Sequence, residues 1–363
     1  MTGGTEVYRS TFLPELEGLR AVAALGIVVT HVAFQTGTES VLFERFDYFV
    51  AVFFALSAFL LARGSHSKNY YRKRFSRIAP AYLVCVAVVL IALPDAGGVS
   101  VGQALANLFM VQIYVPDGLI PGLTQLWSLC VEVAFYLVLP AYLVLGRRDR
   151  LVVLVGFSVL AFVWPWLPFV TGSIEVWNVN LQIWPLSYAP WFAVGLICAE
   201  LEGRVPPRVQ RVLHHRWVYW APALVVAWIS GLVGPAGLTH PTPVEFNVRV
   251  GLGTVFCALV VAPYALAPGT SVLSGPVMQA LGKWSYSIFL WHVAVLAVVF
   301  PLLGVPLFSG YFWPVLALTT LISIVVAYLS YEFVERPALR WFRTTKQANT
   351  AQPAMVTAGE SPA

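Results

Sequence analysis

Charge is scarce in this chain. Asp, Glu, Lys and Arg make up only 11% of its 363 residues, against about 25% in a typical soluble domain. That scarcity excludes water as its main solvent. Cysteine is scarce too. Cys85, Cys130, Cys198 and Cys257 sit inside apolar stretches with neither metal-ligand nor disulfide-framework spacing, so they read as small core residues and no metal site is expected. The chain shows no internal repeat and leaves no room for a soluble domain between its apolar runs. A net charge of +5 is compatible with nucleic acid, but the distribution of that charge argues against such a partner. The first apolar run is too long for a leader and lacks a small-residue cleavage site, so a retained helix is expected.

Apolar sequence fills the rest: 59% of the residues are hydrophobic. Helical runs of about 17–25 residues are long enough to cross the hydrocarbon core. They fall at 17–36, 46–64, 79–94, 125–146, 150–170, 181–200, 217–234, 248–267, 283–304 and 311–334. Span 79–94 is the shortest, and 150–170 carries Pro165 and Pro168. The expectation is an all-α, polytopic membrane helix bundle of about ten transmembrane helices in the plasma (inner) membrane.

Basic residues cluster in alternate loops. Arg63, Lys68, Arg72, Lys73, Arg74 and Arg77 form one group, Arg147 to Arg150 a second and Arg204 to Arg216 a third. Lys283 precedes the ninth span, and Arg336, Arg340, Arg343 and Lys346 close or follow the tenth. The remaining loops hold acids, with Arg45 and Arg249 as their basic residues. Because Lys and Arg resist translocation, both termini are expected in the cytoplasm. One membrane domain, 1–343, is followed by a polar tail, 344–363, expected to be disordered. In the outer loop 95–124, the stretch Val101 to Tyr114 is amphipathic and suits the surface of the outer leaflet.

Ionisable residues inside membrane spans are costly and mark a site. Arg20, His31, Glu132, His292 and Glu332 are the ones that matter, while Glu335 is expected to be interfacial and solvated. Arg20 and His31 are eleven positions apart, which puts them on one helix face about 16 Å apart along the axis. Histidine suits a base that takes a hydroxyl proton near neutral pH. Ser128, Glu132 and Tyr136 recur at i, i+4, i+8 as one polar stripe. At the depth of Glu132 a carboxylate is placed to orient His31 as the third member of a triad does. Ser285 and His292 share a face of the ninth span, with Tyr286 between them. Arg74 and Arg77 admit two readings: an anchor for anionic lipid, or, if the segment is helical, a paired grip on a phosphate.

These residues resemble the integral-membrane acyltransferase family of type 3, which O-acylates sugars, lipids and some secondary metabolites. Leu16-Glu17-Gly18-Leu19-Arg20 followed by His31 looks like its arginine-ten-residues-histidine signature, and Phe53 to Phe59 like its second-span motif. Arg74 and Arg77 resemble its paired arginines, Trp127 to Tyr136 its fourth-span motif, and Ser285 to His292 its late Ser-Tyr…His segment. Glu17 stands where the family commonly has Asp, and Ala58 where Gly is usual, which adds a methyl at a close helix contact. The resemblance implies a ten-helix fold, acyl-CoA as donor (acetyl-CoA foremost), His31 as the catalytic histidine, and functional roles for Arg20 and the paired arginines.

The expected function is O-acyl transfer from cytoplasmic acyl-CoA to a hydroxyl of an extracytoplasmic glycan or glycolipid. His31, Glu132 and Arg20 are the expected catalytic residues, with Arg74, Arg77 and Arg20 on the donor. Ser128, Tyr136, Ser285, Tyr286 and His292 are expected to contact substrate. His31 has two possible roles, general base or acyl carrier. A proton-coupled lipid or sugar transporter with His31 and Glu132 as its relay is the alternative, although the internal repeats common in transporters are missing.

Overall fold

The computed structural model of the chain describes residues 12–64, 69–235 and 240–342. Lys68, Arg343, Lys346 and the tail 344–363 lie outside the described residues. Ten apolar helices dominate the rest, and no strand occurs among the described residues. They are α1 (Pro14–Thr36), α2 (Val41–Arg63), α3 (Tyr70–Ala92), α4 (Thr124–Val144) and α5 (Arg147–Trp166), then α6 (Pro185–Leu201), α7 (Trp217–Gly231), α8 (Pro243–Leu266), α9 (Pro276–Leu303) and α10 (Phe312–Phe342). Eight are long and apolar enough to cross a membrane, and α6 and α7 are shorter apolar helices. The polytopic bundle expected from hydropathy is therefore the fold.

Local chemistry sets the helix ends. Pro14 opens α1, and Gly37, at φ 67°, closes it by donating its N–H to the carbonyls of Ala33 and Phe34. Thr242 and Glu245 form a capping box at the start of α8, satisfying N–H groups that a helix terminus leaves orphaned. The start of α3 differs from the expected span. The helix begins at Tyr70, nine residues before the apolar run, so Arg72 to Arg77 lie within its first two turns. A hydropathy reading follows the hydrocarbon layer, whereas a helix continues through the polar layer wherever its backbone bonds are made.

The core is built from α1, α2, α6, α8 and α9, with α1 against α9 and α2 against α6 among the broadest contacts. A Cβ at Gly195 of α6 would stand 2.0 Å from the Ala55 carbonyl oxygen and 2.9 Å from the Ala58 Cβ. The methyl that Ala58 adds is thus accommodated by a glycine on the facing helix. Helix α5 is peripheral, and Val152, Val155 and Phe157 point away from the bundle, as lipid-facing side chains do. The amphipathic loop segment forms a short helix, Val101–Leu108, which exposes Val101 and Leu105 and buries Asn107.

Ion pairs gather helix ends on one side. Arg63 of α2 meets Glu202, after α6, at 2.6 Å; Arg150 of α5 meets Glu200 of α6 at 2.8 Å; Arg216, beside α7, meets Glu15 of α1 at 2.5 Å. These contacts define a basic end of the bundle, which also carries the start of α3. The first turns of α2, which bear Arg45 and Asp47, lie at the opposite end.

Candidate active site

A cavity of about 250 Å³ opens among α1, α2, α3, α4 and α9. Glu17 and Arg20 of α1, Arg74 and Arg77 of α3, Ser57 of α2, Ser128, Glu132 and Tyr136 of α4, and Tyr286 of α9 line it. Because α3 is already helical at Arg74, the two arginines at i and i+3 project toward the same space. The ion pairs of the basic end leave out Arg20, Arg74 and Arg77 among the described residues. The Arg20 Nε donates to Ser285 Oγ at 3.3 Å, and the Arg74 Nε is buried without a hydrogen-bond partner among the described residues. Three guanidinium groups thus share a cavity with the carboxylates of Glu17 and Glu132. Such a surplus of cationic donors suits a phosphate-bearing ligand.

Deeper in the same cavity, Glu132 Oε1 accepts from both Ser57 Oγ and Tyr136 Oη. Ser128 donates to the Gln125 carbonyl at 3.3 Å, and Tyr286 donates to the Ile78 carbonyl at 2.8 Å, tying α9 to α3. Phe53 and Phe289, 6.2 Å apart, stand on its wall. Phe289 is 5.9 Å from the His292 ring, so the phenylalanines form a septum between the cavity and a second polar group.

That second group is a histidine pair, and it corrects an expectation. Glu132 is not the partner of His31. The His292 Nε2 lies 3.2 Å from His31 Nδ1, with the rings edge to face at 4.9 Å. The reason is geometric: α1 packs along α9, and the carboxylate of α4 is turned to the hydroxyls of its own helix and of α2. The contacts also fix the tautomers. His292 Nδ1 lies 2.8 Å from the Phe289 carbonyl and 3.2 Å from that of Ile288, so it carries the proton and leaves Nε2 as an acceptor. His31 Nδ1, between that acceptor and the Ile27 carbonyl at 2.9 Å, must therefore be the donor. The lone pair of a neutral His31 is then on Nε2, available to a hydroxyl proton.

Two glutamates also trade places. Glu335, expected to be interfacial, is buried and accepts from Ser287 Oγ at 2.5 Å, while Glu332 turns outward and pairs with Arg336. A π-helical turn, Tyr331–Glu335, is the cause. The buried face of α10 runs Thr319, Ser323, Ala327, Ser330. Regular α spacing would carry it to Val334, and the π turn inserts one residue and brings Glu335 there. Ser57 and Glu335 are the site residues that sequence reasoning missed. Ser57 lay unmarked in the Phe53–Phe59 motif, and no spacing rule announces a π turn.

The acyltransferase-domain family model matches residues 13–332. The chain belongs to the type 3 acyltransferase family. The acyltransferase MdmB of Streptomyces mycarofaciens is 30% identical, over 93% of this chain and 95% of that protein. The peptidoglycan O-acetyltransferase OatA of Listeria monocytogenes is 24% identical over 95% of this chain, which spans only 59% of OatA. Nodulation protein 10 of Rhizobium leguminosarum is 26% identical over 80% of this chain and 82% of its own length. No solved structure matches. As a type 3 acyltransferase, the chain is a multi-pass membrane enzyme that transfers acyl groups.

Proposed function

We propose that this acyltransferase takes an acyl group, foremost acetyl, from cytoplasmic acyl-CoA and passes it to a hydroxyl of an extracytoplasmic glycan or glycolipid. The observation that carries the reading is the cavity lined by Arg20, Arg74 and Arg77, none of them used in the ion pairs of the basic end. The alternating loop charges put that end in the cytoplasm, where acyl-CoA is found. OatA, an O-acetyltransferase by name, supports oxygen as the accepting atom.

The guanidinium groups hold the phosphates of the donor. Its acyl-thioester arm passes Phe53 and Phe289 to reach the histidine pair. His31 Nε2 takes the proton of the acceptor hydroxyl as its oxygen attacks the thioester carbon. The carbon–sulfur bond breaks as the carbon–oxygen bond forms, and the proton passes to the departing CoA thiolate. If His31 carries the acyl group, the same nitrogen attacks first and the hydroxyl second.

Binding of acetyl-CoA by calorimetry tests the donor site. Arg74→Ala and Arg77→Ala should each weaken binding about tenfold or more, with steep salt dependence, since charge-assisted contacts to phosphate are strong. Unchanged affinity in well-expressed variants would assign these arginines to lipid anchoring instead.

A further inference from the structure

Beyond the histidine pair, toward the end opposite the arginines, a second polar site is tied to α1. Thr30, the neighbour of His31, donates to the Glu44 carbonyl at 2.7 Å and so fixes the start of α2 beside the histidine. The next residue, Arg45, is 8% exposed and pairs with Asp47 at 3.3 Å. Both members of this pair keep an unmet bond: Arg45 Nε, and the inner oxygen Oδ1 of the half-exposed Asp47 side chain, are buried without hydrogen-bond partners among the described residues. Buried polar atoms in native folds are nearly always satisfied, so an orphaned donor beside an orphaned acceptor offers a place to the hydroxyl groups of a ligand or of water.

Aromatic rings border the same segment. Phe43 stacks on Phe312 at 5.2 Å, meets Phe46 at 5.7 Å and stands edge-on to Trp313 at 6.4 Å. Trp313 is 69% exposed, with its indole open to whatever approaches from that end. An N–H donor next to a carboxylate acceptor matches two neighbouring hydroxyls, and an exposed indole matches the C–H face of a pyranose.

We propose that Arg45, Asp47 and Trp313 form the subsite that holds the acceptor as a sugar ring, on the far side of His31 from the arginine cavity. Arg45 Nε donates to one ring hydroxyl, Asp47 Oδ1 accepts from its neighbour, and Trp313 stacks on the ring. The hydroxyl to be acylated is thereby directed at His31 Nε2. This rests on the acyl-CoA reading above, and the test separates the two.

The full chain in proteoliposomes would be given acetyl-CoA with n-octyl β-D-glucopyranoside or, as a hydroxyl without a sugar, 1-octanol. Thiol release reports donor turnover, and mass spectrometry reports the acetylated product. The wild type should acetylate the glycoside in preference to octanol. Asp47→Asn and Trp313→Ala should each raise the glycoside KM about tenfold, leaving the KM for acetyl-CoA and thiol release without acceptor unchanged. Trp313→Phe should restore most of the loss. Trp313 is exposed and Asp47→Asn is isosteric, so both variants are expected to fold. Unchanged glycoside KM in both would overturn the subsite. Equal use of octanol, or thiol release with no glycoside product, would overturn the sugar assignment and leave the rings as a membrane-interface belt. Absence of thiol release from the wild type would instead remove the donor reading beneath it.

Discussion

At the scale of single residues, the proposed chemistry rests on which nitrogen of His31 is bare. The Ile27 carbonyl and His292 Nε2 both require Nδ1 to carry hydrogen, so Nε2 is the basic atom. In the proposed mechanism His292 acts through His31 by holding that tautomer and ring orientation, a positioning role like that of the third member of a catalytic triad. His31→Ala should therefore lower kcat about 10²–10⁴-fold, the range of a general base. His292→Ala should lower kcat less and leave the KM for acetyl-CoA unchanged. Because the two rings act as a unit, the double variant should be scarcely slower than His31→Ala alone. Glu132, bonded instead to Ser57 and Tyr136, should behave differently. Glu132→Gln combined with His31→Ala should give multiplicative losses. Proteoliposome transfer rates for these variants and for Glu132→Gln alone decide this, and additive behaviour within the histidine pair would break the assignment.

At the scale of elements, α10 shows where sequence patterns stop being informative. Much of the site was legible. Arg20, Arg74, Arg77, Ser128, Glu132, Tyr136 and Tyr286 line one cavity because helical periodicity places side chains on faces. Ser285 and His292, seven apart on α9, both turn to α1 and meet Arg20 and His31. Spacing within a helix, however, says nothing of which neighbouring helix supplies a partner, so it points Glu132 to His31 where the partners are the hydroxyls of Ser57 and Tyr136. A π turn likewise costs one residue of register that no composition signals, and it brought Glu335 inside. Helix α3, which carries Arg74 and Arg77, packs directly on this turn, so the Glu335 charge adjoins the helix that lines the arginine cavity. Glu335→Gln keeps a partner for Ser287 but removes the charge. It should raise the KM for acetyl-CoA several-fold while kcat and thermal stability in detergent change little. A fall in stability with KM unchanged would mark Glu335 as a packing residue only.

At the scale of the whole molecule, the groups fall in sequence along the bundle. The arginine cavity lies at the basic end, the Phe53–Phe289 septum next, then the histidine pair, and the Arg45–Asp47 segment toward the opposite end. Such an order suits transfer across a membrane, with donor and acceptor entering from different sides and meeting at His31. The order has a consequence for sidedness. If the basic end is cytoplasmic, a cysteine placed at Arg72, exposed at the start of α3, should react with an impermeant maleimide only after the inner face is opened. One placed at Trp313 should react in intact cells. The four native cysteines are buried, so they should contribute little background to this labelling. Transfer should be vectorial as well. In vesicles of known orientation, acetyl-CoA confined to the Arg72 side should label an acceptor confined to the Trp313 side, and the reverse arrangement should yield only slow leakage. Labelling of both cysteines from one side, or equal transfer in both arrangements, would mean that donor and acceptor share an entrance, and the path through the septum would have no role.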